Sequence, residues 1–283
     1  MASTLTSPRP APVAVRRLIP ELRAVYIAVA VLVVALGFST FVLTEHTDRW
    51  WAWTINVPMT AALLGAGYWA GLALLIVALR DDEWTRSRVV VPIAFTLDCT
   101  LLLTVFLNWS KFHDASVVGW LWLVSYMALP PGLIVLVPRQ LRQPGVDRPR
   151  VVPMGGAMRV LLTAQAAVIL LVGAALFVAP GTFGDDWAWP LVPLGAQAVG
   201  GMLLTHGVGV TGALYEGAWE RVLAPMSSYL CLALLHGILL LRYGDRLDWD
   251  RTAVWLYVGF LATVLVAGLA GVRAALRARS VAT

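Results

Sequence analysis

Eight mostly apolar stretches, near residues 22–44, 54–79, 88–108, 117–138, 157–179, 188–213, 221–243 and 252–274, dominate this chain of 283 residues. Each is close to the roughly twenty helical residues needed to cross a bilayer core of about 30 Å. Backbone groups in that layer find no water, so only elements that pair their own N–H and C=O groups can cross it. The predicted fold class is therefore all-α integral membrane, with eight transmembrane helices. Composition agrees: 13% of residues are charged, against about a quarter in soluble domains. The run after Arg23 is too long for a signal-peptide core and reads as the first crossing.

The net charge of +5 does not mark a nucleic-acid binder. The basic residues form no patch; they flank the apolar runs. Arg9, Arg16, Arg17, Arg23, Arg80, Arg86, Arg88, Arg139, Arg142, Arg148, Arg150, Arg159, Arg221, Arg273, Arg277 and Arg279 fall on one side of the predicted membrane. Arg49, Lys111, Arg242, Arg246 and Arg251 fall on the other. By the positive-inside rule this predicts a plasma-membrane protein with both termini cytoplasmic. Cys99 and Cys231 each sit inside an apolar run, which indicates no disulfide framework.

The phrase "WAWTINVP" at 51–58 returns as "WAWPLVP" at 187–193, about 136 residues later. Aligning Pro58 with Pro193 brings Gly65 onto Gly200; "RVVVP" from Arg88 matches "RVLAP" from Arg221, and "WLWLVSY" from Trp120 matches "WLYVGF" from Trp255. Three matches in order predict a tandem duplication of a four-helix unit. Four is even, so both copies insert with the same orientation, as in parallel-repeat transporters. The predicted organisation is a cytoplasmic tail over 1–20, a first repeat over 21–140, a linker over 141–156, a second repeat over 157–275 and a tail over 276–283.

Indole rings favour the membrane–water interface. Trp51, Trp53, Trp120, Trp187, Trp189 and Trp255 fall at predicted outer ends, which suggests an aromatic rim. Glycines crowd the second and sixth runs, where small residues let backbones approach; these helices are expected at the centre.

Asp98 is the sharpest polar feature, about ten residues from either end of the third run. A carboxylate at that depth costs several kcal/mol unless it is neutral, paired or hydrated. Its side is predicted to look inward, towards a pocket between the halves or within its own half. Cys231 holds the aligned position, so the two copies differ there. Tyr229, His236 and Tyr243 are spaced by seven and share a face, while Gln197 and His206 lie in the sixth run. Asp98, His236, Tyr229, Gln197 and His206 are the candidate ligand- or proton-binding residues. His206 and His236 differ in depth by about 10 Å at 1.5 Å per residue, which argues against shared haem ligation. Pro130-Pro131-Gly132 is expected to bend or break the fourth helix. No nucleophile–base pair, metal-ligand spacing or phosphate loop appears, so no catalytic residue, metal or cofactor is assigned.

The segments "WAWTINVPMTAALLGAGYWAG", "FHDASVVGWLWLVSYMALPPG" and "WAWPLVPLGAQAVGG" resemble an uncharacterised eight-span membrane protein family of GC-rich actinobacteria. The resemblance implies an integral membrane fold and no particular activity. Two roles fit the residues. One is a transporter-like protein that binds a small solute or protons around Asp98. The other is a non-catalytic scaffold or accessory subunit of an envelope complex, partnered by another membrane protein or a second copy.

Overall fold

The computed structural model describes residues 14–281, so Arg9 and the rest of the first thirteen positions lie outside the described residues. Among the described residues, eight helical spans are long and apolar enough to cross a membrane, and no strand forms. This is the architecture of a multi-pass membrane protein. The helices are α1 (Pro20–Gly37), α2 (Pro58–Asp81), α3 (Val90–Leu107), α4 (Val117–Leu141), α5 (Gly156–Val178), α6 (Pro193–Glu216), α7 (Leu223–Tyr243) and α8 (Thr252–Val281). Lipid-facing positions such as Val31, Leu171, Leu241 and Leu256 are apolar and exposed.

Local chemistry sets the boundaries. Pro20, Pro58 and Pro193 open α1, α2 and α6, where a missing N–H costs nothing and φ is already helical. The second and sixth spans therefore begin at Pro58 and Pro193, several residues later than hydropathy alone predicts. α2 and α6 end in left-handed caps, Asp82 at φ 53° and Gly217 at φ 60°. Aspartate tolerates that conformation better than most side chains, and Arg23 holds its carboxylate at 2.7 Å. α4 is not broken: it runs unbroken through Pro130, Pro131 and Pro138. The two adjacent prolines remove only the bonds to the carbonyls four residues earlier, and the remaining turns keep the helix continuous. α1 ends in a π-helical turn, Phe38–Val42. Arg242 of α7 binds the carbonyls of Phe41 and Val42 there, at 2.7 and 3.3 Å.

α2 and α6 are the most buried spans, as their glycines lead one to expect. A Cβ at Gly200 would lie 2.7 Å from the carbonyl oxygen of Gly173 on α5, and one at Gly67 would strike Met202 on α6. α2 packs against α1 and α7, while α6 packs against α5 and α3.

A polar layer closes the face where α1 begins and α8 ends. Arg88 reaches Glu216 and Asp147, Arg221 also binds Glu216, and Asp81 holds Arg279 through two contacts of 2.7 and 2.6 Å. The linker is tied in as well. Glu220 accepts from the N–H groups of Val151 and Val152, and Gln140 bridges Ile19 and Arg17. Burial pushes the Glu83 carboxyl up, but hydrogen bonds from Arg148 and the nearby Arg86, Arg148 and Arg279 charges outweigh it, leaving it below the usual range. A depressed folded value stabilises above the unfolded carboxylate range and loses that contribution as pH falls through the folded value. Glu83→Gln should thus cost about 1–2 kcal/mol near pH 7, and the gap from wild type should close below the ordinary carboxylate range. Unfolding measured at both pH values tests this; a constant gap would contradict it.

Candidate functional site

Asp98 lies on α3, is 4% exposed and has one carboxylate oxygen, Oδ2, buried without a hydrogen-bond partner. Among the described residues no ion pair reaches it. It lines a crevice of about 570 Å³ enclosed by α1, α3 and α4. Val29, Leu32, Leu36, Leu97 and Leu129 supply most of the wall. The other polar wall groups are Ser125, which donates to the Leu121 carbonyl at 2.7 Å, and Tyr126. The Tyr126 hydroxyl is paired with that of Tyr68 at 2.7 Å. Small side chains exposed on the outer surface, Ala28 and Ala35 of α1 and Ala128 of α4, border the crevice. Its opening is thus sideways, towards the hydrocarbon layer.

The pocket is not between the two halves, the first of the two placements that the sequence leaves open. The seam between α2, α3, α6 and α7 holds a cavity of only about 50 Å³, lined by Tyr68, Thr205, His206, Ser228 and Tyr229. That is room for a few water molecules. The Tyr68–Tyr126 hydroxyl pair connects this cavity with the Asp98 crevice, since one tyrosine lines each.

Of the remaining candidates, His206 and Tyr229 share the seam cavity, while His236 and Gln197 lie apart from it. His206 is in the seam, its Nδ1 2.8 Å from the Met202 carbonyl. Tyr229 donates to Gln165 at 3.1 Å, and Gln165 in turn donates to Thr263 at 2.9 Å, a closed polar triad joining α7, α5 and α8. His236 is buried, bonds the Leu232 carbonyl through Nδ1 at 2.8 Å and sits 6.2 Å from the Tyr257 ring. Tyr243 meets Thr44 at the far face. The Tyr229–His236–Tyr243 stripe is thus a buried face whose members have separate partners, and it lines no common cavity. Gln197 accepts from Asn108 at 2.6 Å and pins α6 to α3, away from Asp98. Cys231 is directed at the Trp69 carbonyl and does not approach Asp98's crevice.

The aromatic rim divides in two. Trp120 and Trp255 are 46% and 59% exposed, with indole N–H groups bonded to the Asp114 and Trp249 carbonyls. Trp51, Trp53 and Trp189 are instead buried, and Trp187 is partly so. The loops before α2 and α6 fold back onto the bundle. Trp51 and Trp53 pack edge-on against Trp122, and Trp187 and Trp189 pack edge-on against Tyr257, at 5.6 to 6.2 Å between ring centroids. Aromatic edge-to-face packing in the bundle outweighs the interfacial preference of these rings. A second lateral crevice, of about 550 Å³, lies between α5 and α8 beside Trp187 and Tyr257. It has no buried carboxylate.

Sequence reasoning missed Tyr68 and Tyr126, as well as the Arg88–Glu216–Arg221 cluster. Acids at the matching ends of α2 and α6, Asp81 and Glu216, were a usable signal for the latter. Comparison with protein-family models, curated proteins and solved structures finds no match to this chain.

Proposed function

We propose that this chain is a transporter-like plasma-membrane protein, both termini cytoplasmic, that binds a small solute or protons at Asp98. The observation that carries this reading is a buried carboxylate without an ion-pair partner among the described residues, on a residue that lines a crevice large enough for a ligand. Intramembrane acids are expensive, and one left unpaired beside open volume is placed for a transient partner. The Tyr126–Tyr68 hydroxyl pair adds a polar link from the crevice to the seam.

The proposal includes descent from a duplicated four-helix unit. Packing that exchanges between copies supports it: α1 on α2 recurs as α5 on α6, α2 on α7 as α6 on α3, and α3 on α4 as α7 on α8. Local details recur too. The isolated bridge between Arg17 and Glu83 has a counterpart between Pro153 and Ala218, and the left-handed caps at Asp82 and Gly217 follow matching helices.

Purified protein in liposomes under an imposed pH gradient tests the reading. Asp98→Asn should lower proton flux roughly 100-fold, the scale of a lost proton-transfer group, with helix content and elution unchanged. Flux equal to wild type in the folded variant would end it. A scaffold or accessory role in an envelope complex is the second reading. What favours it is the nearly filled seam, together with ion pairs such as Arg88–Glu216 and Asp81–Arg279 that tie the halves together.

A further inference from the structure

We infer that the Asp98 crevice takes a lipophilic cation, an amine or onium centre carried on an apolar body, and that it enters sideways from the lipid between α1 and α4. The inference rests on the reading of Asp98 as a binding group and names the ligand class.

The hydrogen-bonding capacity of the wall decides the sign of the ligand. Ser125 is committed to the Leu121 carbonyl and Tyr126 to Tyr68. Asp98 is left with an unmet oxygen and no cationic side chain beside it. An anion would be repelled, and a sugar or other polyhydroxylated solute would leave its own polar groups unpaired in a wall of aliphatic side chains. A positive centre with an apolar periphery satisfies both parts: the charge meets the carboxylate, and the periphery replaces lipid against Val29, Leu32, Leu36, Leu97 and Leu129. The volume of about 570 Å³ is within the usual range for small-molecule sites.

The route follows from what is closed. The seam cavity is about 50 Å³, too small for such a body. The crevice borders instead include the exposed residues Ala28, Val31 and Ala35 on α1 and Ala128 on α4, where α1 and α4 pack only sparingly. The repeat sharpens the contrast. Carrying the offset of the Trp51–Trp187 match back along the chain, and that of Trp120–Trp255 forward, places Gln165 and Thr263, which bond each other and Tyr229 in the second copy, at Val29 and Ala128, both in the crevice wall. Both copies hold a lateral crevice of similar size, about 550 and 570 Å³, but one is backed by a neutral polar triad and the other by a buried acid.

Tetraphenylphosphonium binding to the purified protein in nanodiscs is the test, with neutral triphenylphosphine oxide as the matched uncharged probe. Wild type and Asp98→Glu should bind the cation saturably. Asp98→Asn should weaken binding roughly 30-fold or more, the scale for removing one partner of a buried charge pair. Gly132→Phe should abolish it by filling the crevice, since a Cβ at Gly132 meets no atom within 4 Å. No saturable cation binding to wild type, equal binding of the neutral probe, or full binding by Asp98→Asn would each overturn the inference. Asp98-dependent proton flux without cation binding would remove the ligand class and leave the role of Asp98 intact. Loss of both would remove the two together.

Discussion

Replacing Glu216 by alanine should cost the folded protein about 3–5 kcal/mol, the scale for stripping one partner from a buried ion pair. Glu216 is fully buried at the end of α6 and accepts from Arg88 Nη2 at 2.9 Å and Arg221 Nη1 at 3.2 Å. Its removal leaves two guanidinium groups sharing a low-dielectric site, offset among the described residues by Asp147, which is 3.0 Å from Arg88 and also pairs with Arg16. Arg88 stands just before α3 and Glu216 ends α6, so the loss falls where these two helices meet. The double variant Glu216→Leu with Arg88→Met should recover part of the stability, because a buried pair replaced whole by apolar groups is often near neutral. Titration into SDS-containing mixed micelles reads both. A loss under about 1 kcal/mol for the single variant would show that water already solvates the cluster.

Gly200→Ala should also be damaging, though less so, despite adding a single methyl group. The new Cβ would stand 2.7 Å from the Gly173 carbonyl oxygen and 2.8 Å from the Phe177 nitrogen. Both are backbone atoms of α5, so no side-chain rotation relieves the overlap, and the helices must separate. Overpacking of this kind costs about 1–3 kcal/mol, and here it acts on the most extensive helix pair in the protein. Gly237→Ala, on a face where the Cβ meets nothing within 4 Å, should leave stability within about 0.5 kcal/mol of wild type. Equal behaviour of the two variants would refute close packing at Gly200.

The spans were legible because hydropathy acts residue by residue and needs no partner. Asp98 was legible for the same reason: a carboxylate amid apolar neighbours is costly wherever its helix turns. Its surroundings were not. Tyr68, Tyr126 and Val29 come from three other helices, and nothing in their local sequence says that they converge. Trp51 and Trp189 misled because an indole ring is equally content at the lipid interface and against another aromatic ring; the choice is made by how the preceding loop folds back. The break that Pro130 and Pro131 allow does not occur, since a helix held by its neighbours tolerates lost hydrogen bonds that would break an isolated one. The Arg88–Glu216 pair spans 128 residues, beyond the reach of any short-range pattern.

The pairing of α2 with α7 has a consequence for biogenesis. During synthesis α2 enters the bilayer five spans before its partner, with four others made between them. Until then the surface later covered by α7 must face lipid or the insertion machinery. The first four helices therefore emerge as an unfinished assembly, and a nascent chain arrested before α7 should be far more open to proteases and quality control than one arrested just after it.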